Sequence, residues 1–223
     1  FLSPNFNEHN PNGLVIMGSS NLTAQGLGLE AVEYNYEMNV EQLKNCPYIL
    51  FNDLAITFRW LAHQDEIGVA TSLITNKELD KWNIHVDELY EVALANSERL
   101  FPSKLTNMKD LFFEYMEEVN REPEIFEDKV ELYVLTNDIG INGASCLLYE
   151  DVLKDFAEKR NSDLYILPSS IHEVIVVPSV CIDDKEYLSE LVESANKSVV
   201  GLMDILSDTV YYYHKCNKKI TVA

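Results

Sequence analysis

The stretch that decides the fold is residues 164–178, which reads LYILPSSIHEVIVVP. It contains two short runs, 164–167 and 173–177, that are rich in the β-branched and aromatic residues typical of strands. Between the two runs, Pro168 cannot donate a hydrogen bond to a neighbouring strand, and the serines that follow it favour a turn. The stretch therefore predicts a β-hairpin in the middle of a sheet, against which the flanking helices must pack.

The patterns on either side of this hairpin mix strands and helices in no regular order. Tight hairpin connections favour antiparallel pairing, and the regular βα alternation of a parallel sheet is absent. We therefore predict the α+β class, with a mixed, largely antiparallel sheet and helices packed mainly on one face. The segments expected to be regular lie at 14–17, 54–61, 67–74, 76–82, 87–100, 107–119, 130–136, 150–159, 164–178, 183–196 and 209–214.

The predicted helix at 107–119 carries a broad apolar stripe. Its members recur at helical spacing, and such a stripe is usually buried against a sheet or another helix. We expect its inner face to consist of Met108, Leu111, Phe112, Tyr115 and Met116.

Composition limits the classes of partner. The 223 residues include 17 basic and 37 acidic side chains, which gives a net charge of −20 and disfavours nucleic acid and anionic membrane surfaces as partners. No apolar run approaches the roughly 20 residues that a membrane-spanning helix needs, and no signal-peptide pattern is visible. The four cysteines are scattered without a CxxC pair, as expected for reduced thiols of a cytoplasmic protein. We predict no metal and no cofactor.

The hairpin turn contains the first candidate for chemistry. Ser169, Ser170, His172 and Glu173 supply the hydroxyl, imidazole and carboxylate that a hydrolase uses as nucleophile, base and orienting group. Alternation along a strand, however, would point Ile171 and Glu173 to one side and His172 to the other. No Gly-x-Ser-x-Gly elbow accompanies the serines. The pattern favours a turn with a half-exposed histidine over a catalytic site.

Two loops offer weaker candidates. The Asn- and Gly-bearing loop at 137–143 follows a predicted strand, a position where ligands often bind, but it lacks the spacing of a phosphate-binding loop. The polar turn His63-Gln64-Asp65-Glu66 could supply a pair of metal ligands, although polar residues are expected at a hairpin tip in any case. Plain connections are the favoured interpretation of both.

Most of the chain, from about residue 33 to residue 213, resembles an uncharacterised family of bacterial proteins of unknown function. The family has no established activity, so the resemblance implies no catalytic residues. The matching segments are 47–55, 75–82, 87–93, 133–137, 143–149 and 167–174.

Residues 1–30 are similar instead to the end of a catalytic motif in phospholipase-D-like nucleases and phosphodiesterases. The similarity rests on a predicted turn at Gly18, Ser19, Ser20 and Asn21. That family also requires a His-x-Lys pair and an Asp upstream, to attack phosphorus and hold the phosphate. Its spacing would place these three residues on Pro4, Phe6 and Pro11, so the motif is incomplete in this chain.

These observations predict a division of the chain at about residue 30. Residues 1–30 are expected to be a phospholipase-D-like remnant or an N-terminal appendage, and residues 31–223 a single α+β domain. The leading hypothesis is an acidic binding domain with a possible protein partner and no catalysis of its own. The alternative is a hydrolase or phosphodiesterase whose active site is incomplete in this chain.

Overall fold

The computed structural model describes the backbone of residues 14–21 and, with side chains, residues 39–65, 68–119, 130–168, 170–182, 184–198, 200–201 and 204–223. Ser169 and residues 120–129 therefore lie outside the described residues. Among the helices that the structure describes, none is long and apolar enough to cross a membrane. The strands are β1 (Leu14–Asn21), β2 (Tyr48–Phe51), β3 (Leu54–Gln64), β4 (Val69–Leu73), β5 (Ser103–Asn107), β6 (Tyr133–Asn137), β7 (Leu164–Leu167), β8 (Val174–Pro178), β9 (Tyr211–His214) and β10 (Lys219–Val222). The main helices are α1 (Asn76–Trp82), α2 (Val86–Leu100), α3 (Met108–Glu118), α4 (Glu150–Arg160) and α5 (Lys185–Ser198).

The predicted hairpin forms the centre of a six-stranded sheet. The strand order is β10-β9-β7-β8-β6-β5, and every pair is antiparallel. Within the hairpin Leu164 pairs with Pro178 and Leu167 pairs with Ile175. The α+β class, the antiparallel pairing and the hairpin are thus confirmed.

Both faces of this hairpin are buried, which explains its nearly continuous apolar sequence. Leu164 and Ile166 point to the face covered by α4, whose Phe156 joins the same cluster of buried residues. Leu167 and Val177 point to the opposite face, where α5 packs. The hairpin therefore holds one helix layer on each side of the sheet.

The smaller sheet is built around β3. This long strand pairs with β1 along one edge and with β2 and then β4 along the other, always antiparallel. Phe58 of β3 packs with Leu89 and Ala93 of α2 in a second core cluster, which α1 also borders. A capping box begins α1, because Thr75 and Glu78 satisfy each other's backbone N–H groups.

The segment predicted as a tight turn at Gly18 to Asn21 is instead the second half of β1. Ser19 lies opposite Ile56 and Asn21 lies opposite Leu54, with a bulge between Ile16 and Ser19. Pairing with β3 gives these backbone groups hydrogen-bond partners that a turn would have to find locally.

Two edge strands of the large sheet were missed. The segments of β5 and β10 read SKLTN and KITV, which are too polar and too short to predict strands. They pair with β6 and β9, respectively.

Asp163, which precedes β7, is bonded to β9 and to the turn that follows it. Its carboxylate accepts the Lys215 backbone N–H at 2.8 Å and the Tyr212 hydroxyl at 3.0 Å. The Lys215 N–H, and then the Tyr212 hydroxyl, hold the pKa of Asp163 below its usual value.

Candidate functional site

The structure brings together the two candidate regions that sequence patterns suggested separately. The end of β6 with the loop that follows it and the turn before β8 meet through three hydrogen bonds, although the bonded residues lie 27–36 positions apart. Thr136 Oγ1 donates to the His172 carbonyl at 2.8 Å, and the Ala144 N–H donates to the Ile171 carbonyl at 3.2 Å. The Asn142 N–H donates to His172 Nδ1 at 3.1 Å. We call this arrangement the His172 site.

The Ser170 hydroxyl is occupied in shaping the turn. Its Oγ accepts the backbone N–H of His172 at 3.0 Å and that of Glu173 at 3.3 Å, a local bonding pattern typical of serine in turns. Because residues 171–173 precede the first residue of β8, strand alternation does not set where their side chains point. Ser170 itself is buried, whereas Glu173 is exposed.

The loop after β6 is stabilised by hydrogen bonds between the Asn137 side chain and the loop backbone. Asn137 is buried; its Nδ2 donates to the Ile141 carbonyl at 2.8 Å, and its Oδ1 accepts the Ile141 N–H at 3.3 Å. Gly140 and Asn142 adopt left-handed backbone conformations, which Gly and Asn tolerate best. This local order aims the Asn142 N–H at the His172 ring.

Gly143 allows the 3-10 helix Gly143–Leu148 to cross the end of β6 at very short range. A Cβ at this position would lie 2.2 Å from Thr136 Oγ1, 2.6 Å from the Asn137 nitrogen and 2.6 Å from the His172 carbonyl oxygen. Two of these three atoms belong to the backbone and cannot move aside. Glycine is therefore required here for packing, which the sequence patterns did not indicate.

The third side of the site is Asp204, which sequence reasoning missed. Its Oδ1 lies 3.5 Å from His172 Nε2, and its carbonyl accepts the Ile171 N–H at 2.8 Å. The two side chains are 37% and 44% exposed, so the pair lies at the protein surface. Nothing in the sequence around Asp204 signals this contact, because 32 residues and the whole of α5 separate it from His172.

The hydrogen bonds of His172 fix which nitrogen carries its proton. A backbone N–H can only donate, so His172 Nδ1 supplies its lone pair to Asn142 and the neutral ring carries its proton on Nε2, toward Asp204. A catalytic Ser-His-Asp arrangement needs the opposite tautomer, in which Nδ1–H faces the carboxylate and Nε2 accepts the proton of the nucleophile. In the described geometry the neutral imidazole has no free lone pair with which to act as a base.

A second polar cluster joins the two sheets. Asp53, in the turn between β2 and β3, accepts the hydroxyls of Ser207 and Thr209 at 2.9 Å each, and also that of Tyr211. Burial raises the pKa of Tyr211, and its hydrogen bond to Asp53 raises it further, so its hydroxyl stays protonated and donates. Sequence patterns gave no sign of this cluster, because its partners lie about 150 residues apart. Its chemistry is that of a structural cross-link.

The remaining candidate at the 63–66 turn is an exposed pair. His63 Nε2 lies 2.9 Å from Asp65 Oδ2, and both side chains are largely in solvent. Across the part of the chain with described side chains, no group of three His, Cys, Asp or Glu residues converges to hold a metal ion. All four cysteines are free thiols; Cys46 and Cys146 are buried.

Comparison with known proteins gives one family and no individual relative. The family model described as "Family of unknown function (DUF5688)" matches residues 31–215, and no curated protein and no solved structure matches the chain. The match confirms the resemblance of residues 33–213 to an uncharacterised family. It begins after residue 30 and lends no support to the phospholipase-D-like resemblance of the first segment. With most of its length covered, the chain belongs to the family of unknown function DUF5688.

Proposed function

We propose that this protein acts in the cytoplasm by binding a protein partner and catalyses no reaction of its own. In this proposal residues 31–223 form the binding domain, and residues 1–30 are an N-terminal appendage whose strand β1 pairs with β3. The net charge of −20 supports a protein partner over nucleic acid or an anionic membrane. The four free thiols suit a reducing compartment.

The observation that carries the proposal is the set of contacts of the His172 ring. Its Nδ1 accepts the Asn142 N–H at 3.1 Å, and its Nε2 lies 3.5 Å from Asp204 Oδ1. The nearby Ser170 hydroxyl accepts two backbone N–H groups of the turn. A hydrolase would instead keep an unoccupied imidazole nitrogen beside its nucleophile. The contacts of His172 are those of a brace between two loops.

A comparison of two histidine variants tests the proposal. His172→Ala should lower the free energy of unfolding by about 1–3 kcal/mol, because the Asn142 N–H and the Asp204 carboxylate each lose a partner. His63→Ala is the matched control: His63 also faces a carboxylate but is 67% exposed, so its loss should cost about 0.5 kcal/mol or less. Chemical denaturation followed by circular dichroism measures both.

The same proteins should be assayed with p-nitrophenyl esters and with bis(p-nitrophenyl) phosphate. We expect no hydrolysis above background from the wild type or from either variant. Hydrolysis by the wild type that is lost in His172→Ala, with the circular dichroism spectrum unchanged, would overturn the proposal and favour a hydrolase.

A further inference from the structure

One of the two side-chain contacts of His172 can form only while the ring is neutral. Its Nδ1 accepts the Asn142 N–H at 3.1 Å, and a backbone N–H can only donate, so this contact requires a lone pair on Nδ1. The imidazolium carries a proton on both nitrogens and has no lone pair to offer. Protonation of the ring therefore places two donors face to face at Asn142.

The other contact of the ring changes in the opposite direction. Nε2 lies 3.5 Å from Asp204 Oδ1 and carries a proton in both states, so the ring can face this carboxylate throughout. A carboxylate attracts the positively charged imidazolium more strongly than the neutral ring. Protonation should therefore exchange one contact for the other, because Asn142 is released while Asp204 is held more firmly.

The charged groups of the surrounding segments are all acidic. Three segments meet at the ring: its own turn, loop 137–143 and the stretch that follows α5. The flanking strands β6 and β8 and the 3-10 helix Gly143–Leu148 contain no charged residue. Among the described residues of the three segments, every charged side chain is a carboxylate, namely Asp138, Glu173, Asp204 and Asp208. The Asn142 N–H is therefore the group that opposes protonation, whereas the surrounding charge favours it.

The backbone around the ring is held by hydrogen bonds that do not titrate. Thr136 Oγ1 donates to the His172 carbonyl at 2.8 Å, and the His172 N–H donates to Ser170 Oγ at 3.0 Å. The Ile171 N–H donates to the Asp204 carbonyl at 2.8 Å. Loss of the contact at Nδ1 should therefore leave the turn in place and change the neighbouring loop only around Asn142.

We propose that His172 is a pH-sensitive latch between loop 137–143 and Asp204. The neutral ring closes the latch by accepting the Asn142 N–H, and the protonated ring opens it and stays paired with Asp204. Imidazole is the side chain that ordinarily changes charge between pH 5 and 8, so the latch opens as the pH falls through this range. This inference rests on the role of His172 as a brace in the proposed function and adds its regulation.

An NMR titration of the ¹⁵N-labelled full chain from pH 8 to pH 5 follows the ring and the loop together. We expect the Asn142 amide proton to move upfield as its hydrogen bond is lost, with the same midpoint as the His172 ring signals. Its protection against hydrogen exchange, corrected for the intrinsic rate, should fall by at least about fivefold. The exposed rings of His63 and His85, which also face carboxylates, serve as internal references elsewhere on the surface.

Three variants separate the ring from its surroundings. His172→Asn keeps an oxygen near the position of Nδ1 but cannot titrate, so the Asn142 amide should no longer respond to pH in this range. Asp204→Asn removes the charge that attracts the imidazolium, so the transition should move to lower pH. Asp65→Asn, in the exposed pair with His63, is the matched control and should leave the transition unmoved.

Two results would overturn the latch: an Asn142 amide that does not change while the His172 ring titrates, or a change that persists in His172→Asn. The wild-type titration decides the first without any variant. A transition that Asp204→Asn leaves unmoved would overturn the pairing of the protonated ring with Asp204. None of these outcomes involves turnover, so they differ from the hydrolysis that would overturn the proposed function. A midpoint shared by ring and amide in the wild type, and an amide without pH response in His172→Asn, support the inference.

Discussion

Gly143→Ala places a methyl group where the 3-10 helix crosses the end of β6. The added carbon would lie 2.2 Å from Thr136 Oγ1 and 2.6 Å from both the Asn137 nitrogen and the His172 carbonyl oxygen. All three distances are far below van der Waals contact. The Thr136 side chain can rotate away, but the two backbone atoms are held in β6 and in the turn before β8.

The cost follows from these contacts. Overpacking a tightly fitted site costs about 1–3 kcal/mol, and displacing Thr136 also breaks its hydrogen bond to the His172 carbonyl, worth about 1 kcal/mol. We therefore expect Gly143→Ala to lower the free energy of unfolding by about 3 kcal/mol. For a chain of this size that corresponds to a fall in Tm of about 6–12 °C. A domain with a typical stability of about 5–15 kcal/mol should still fold.

Chemical denaturation monitored by circular dichroism measures the effect, and Gly140→Ala is the control. Gly140 has φ +68 with no atom within 4 Å of the added carbon, so its replacement should cost only the backbone strain of about 1–2 kcal/mol. Adding Thr136→Ala to Gly143→Ala should restore less than half of the lost stability, because both backbone contacts remain. Equal effects of Gly143→Ala and Gly140→Ala would refute the close crossing that positions the His172 site.

Three further predictions concern other parts of the structure. Asp53→Ala should lower the free energy of unfolding by about 3–5 kcal/mol, because the hydroxyls of Tyr211, Ser207 and Thr209 lose their acceptor. Chemical denaturation measures this loss, and a value below about 1 kcal/mol would show that the cluster does not cross-link the two sheets. In a titration with a thiol reagent, the exposed Cys216 should react in the native protein. Cys146, whose pKa burial raises to about 12, should react only after unfolding. Rapid reaction of Cys146 in the native protein would contradict its position in the core. Because its folded-state pKa is lowered, Asp163 contributes stability that is present above the unfolded pKa of about 3.9 and is lost as the pH falls through the folded pKa. The stability difference between wild type and Asp163→Asn should therefore be largest above about pH 4 and shrink below it, and a pH-independent difference would count against this assignment.

The elements that could be predicted from sequence are those with a strong local signal. The central hairpin was predictable because β-branched runs flank a Pro-Ser turn, and α1 because Thr75 and Glu78 form a capping box. The edge strands β5 and β10 are short and contain no buried residue, so few of their positions need to be apolar and their sequences resemble loops.

The candidate site was predictable only in part. His172 and the 137–143 loop could each be singled out, but their contact could not, because it depends on the pairing of β6 with β8. Asp204 carries no local signal, as its role arises from the return of the chain after α5. The apolar period of residues 107–119 correctly predicted a helix, which spans Met108–Glu118, although none of its residues is buried.

The most direct test of the account is the protonation state of the His172 ring in solution. A long-range ¹⁵N–¹H correlation spectrum at alkaline pH distinguishes the two neutral tautomers, and His172→Ala assigns the signal. The hydrogen bond from the Asn142 N–H predicts a proton on Nε2 and an unprotonated Nδ1 that accepts this N–H. A proton on Nδ1, with Nε2 free to accept another, would contradict the brace and restore His172 as a candidate catalytic base.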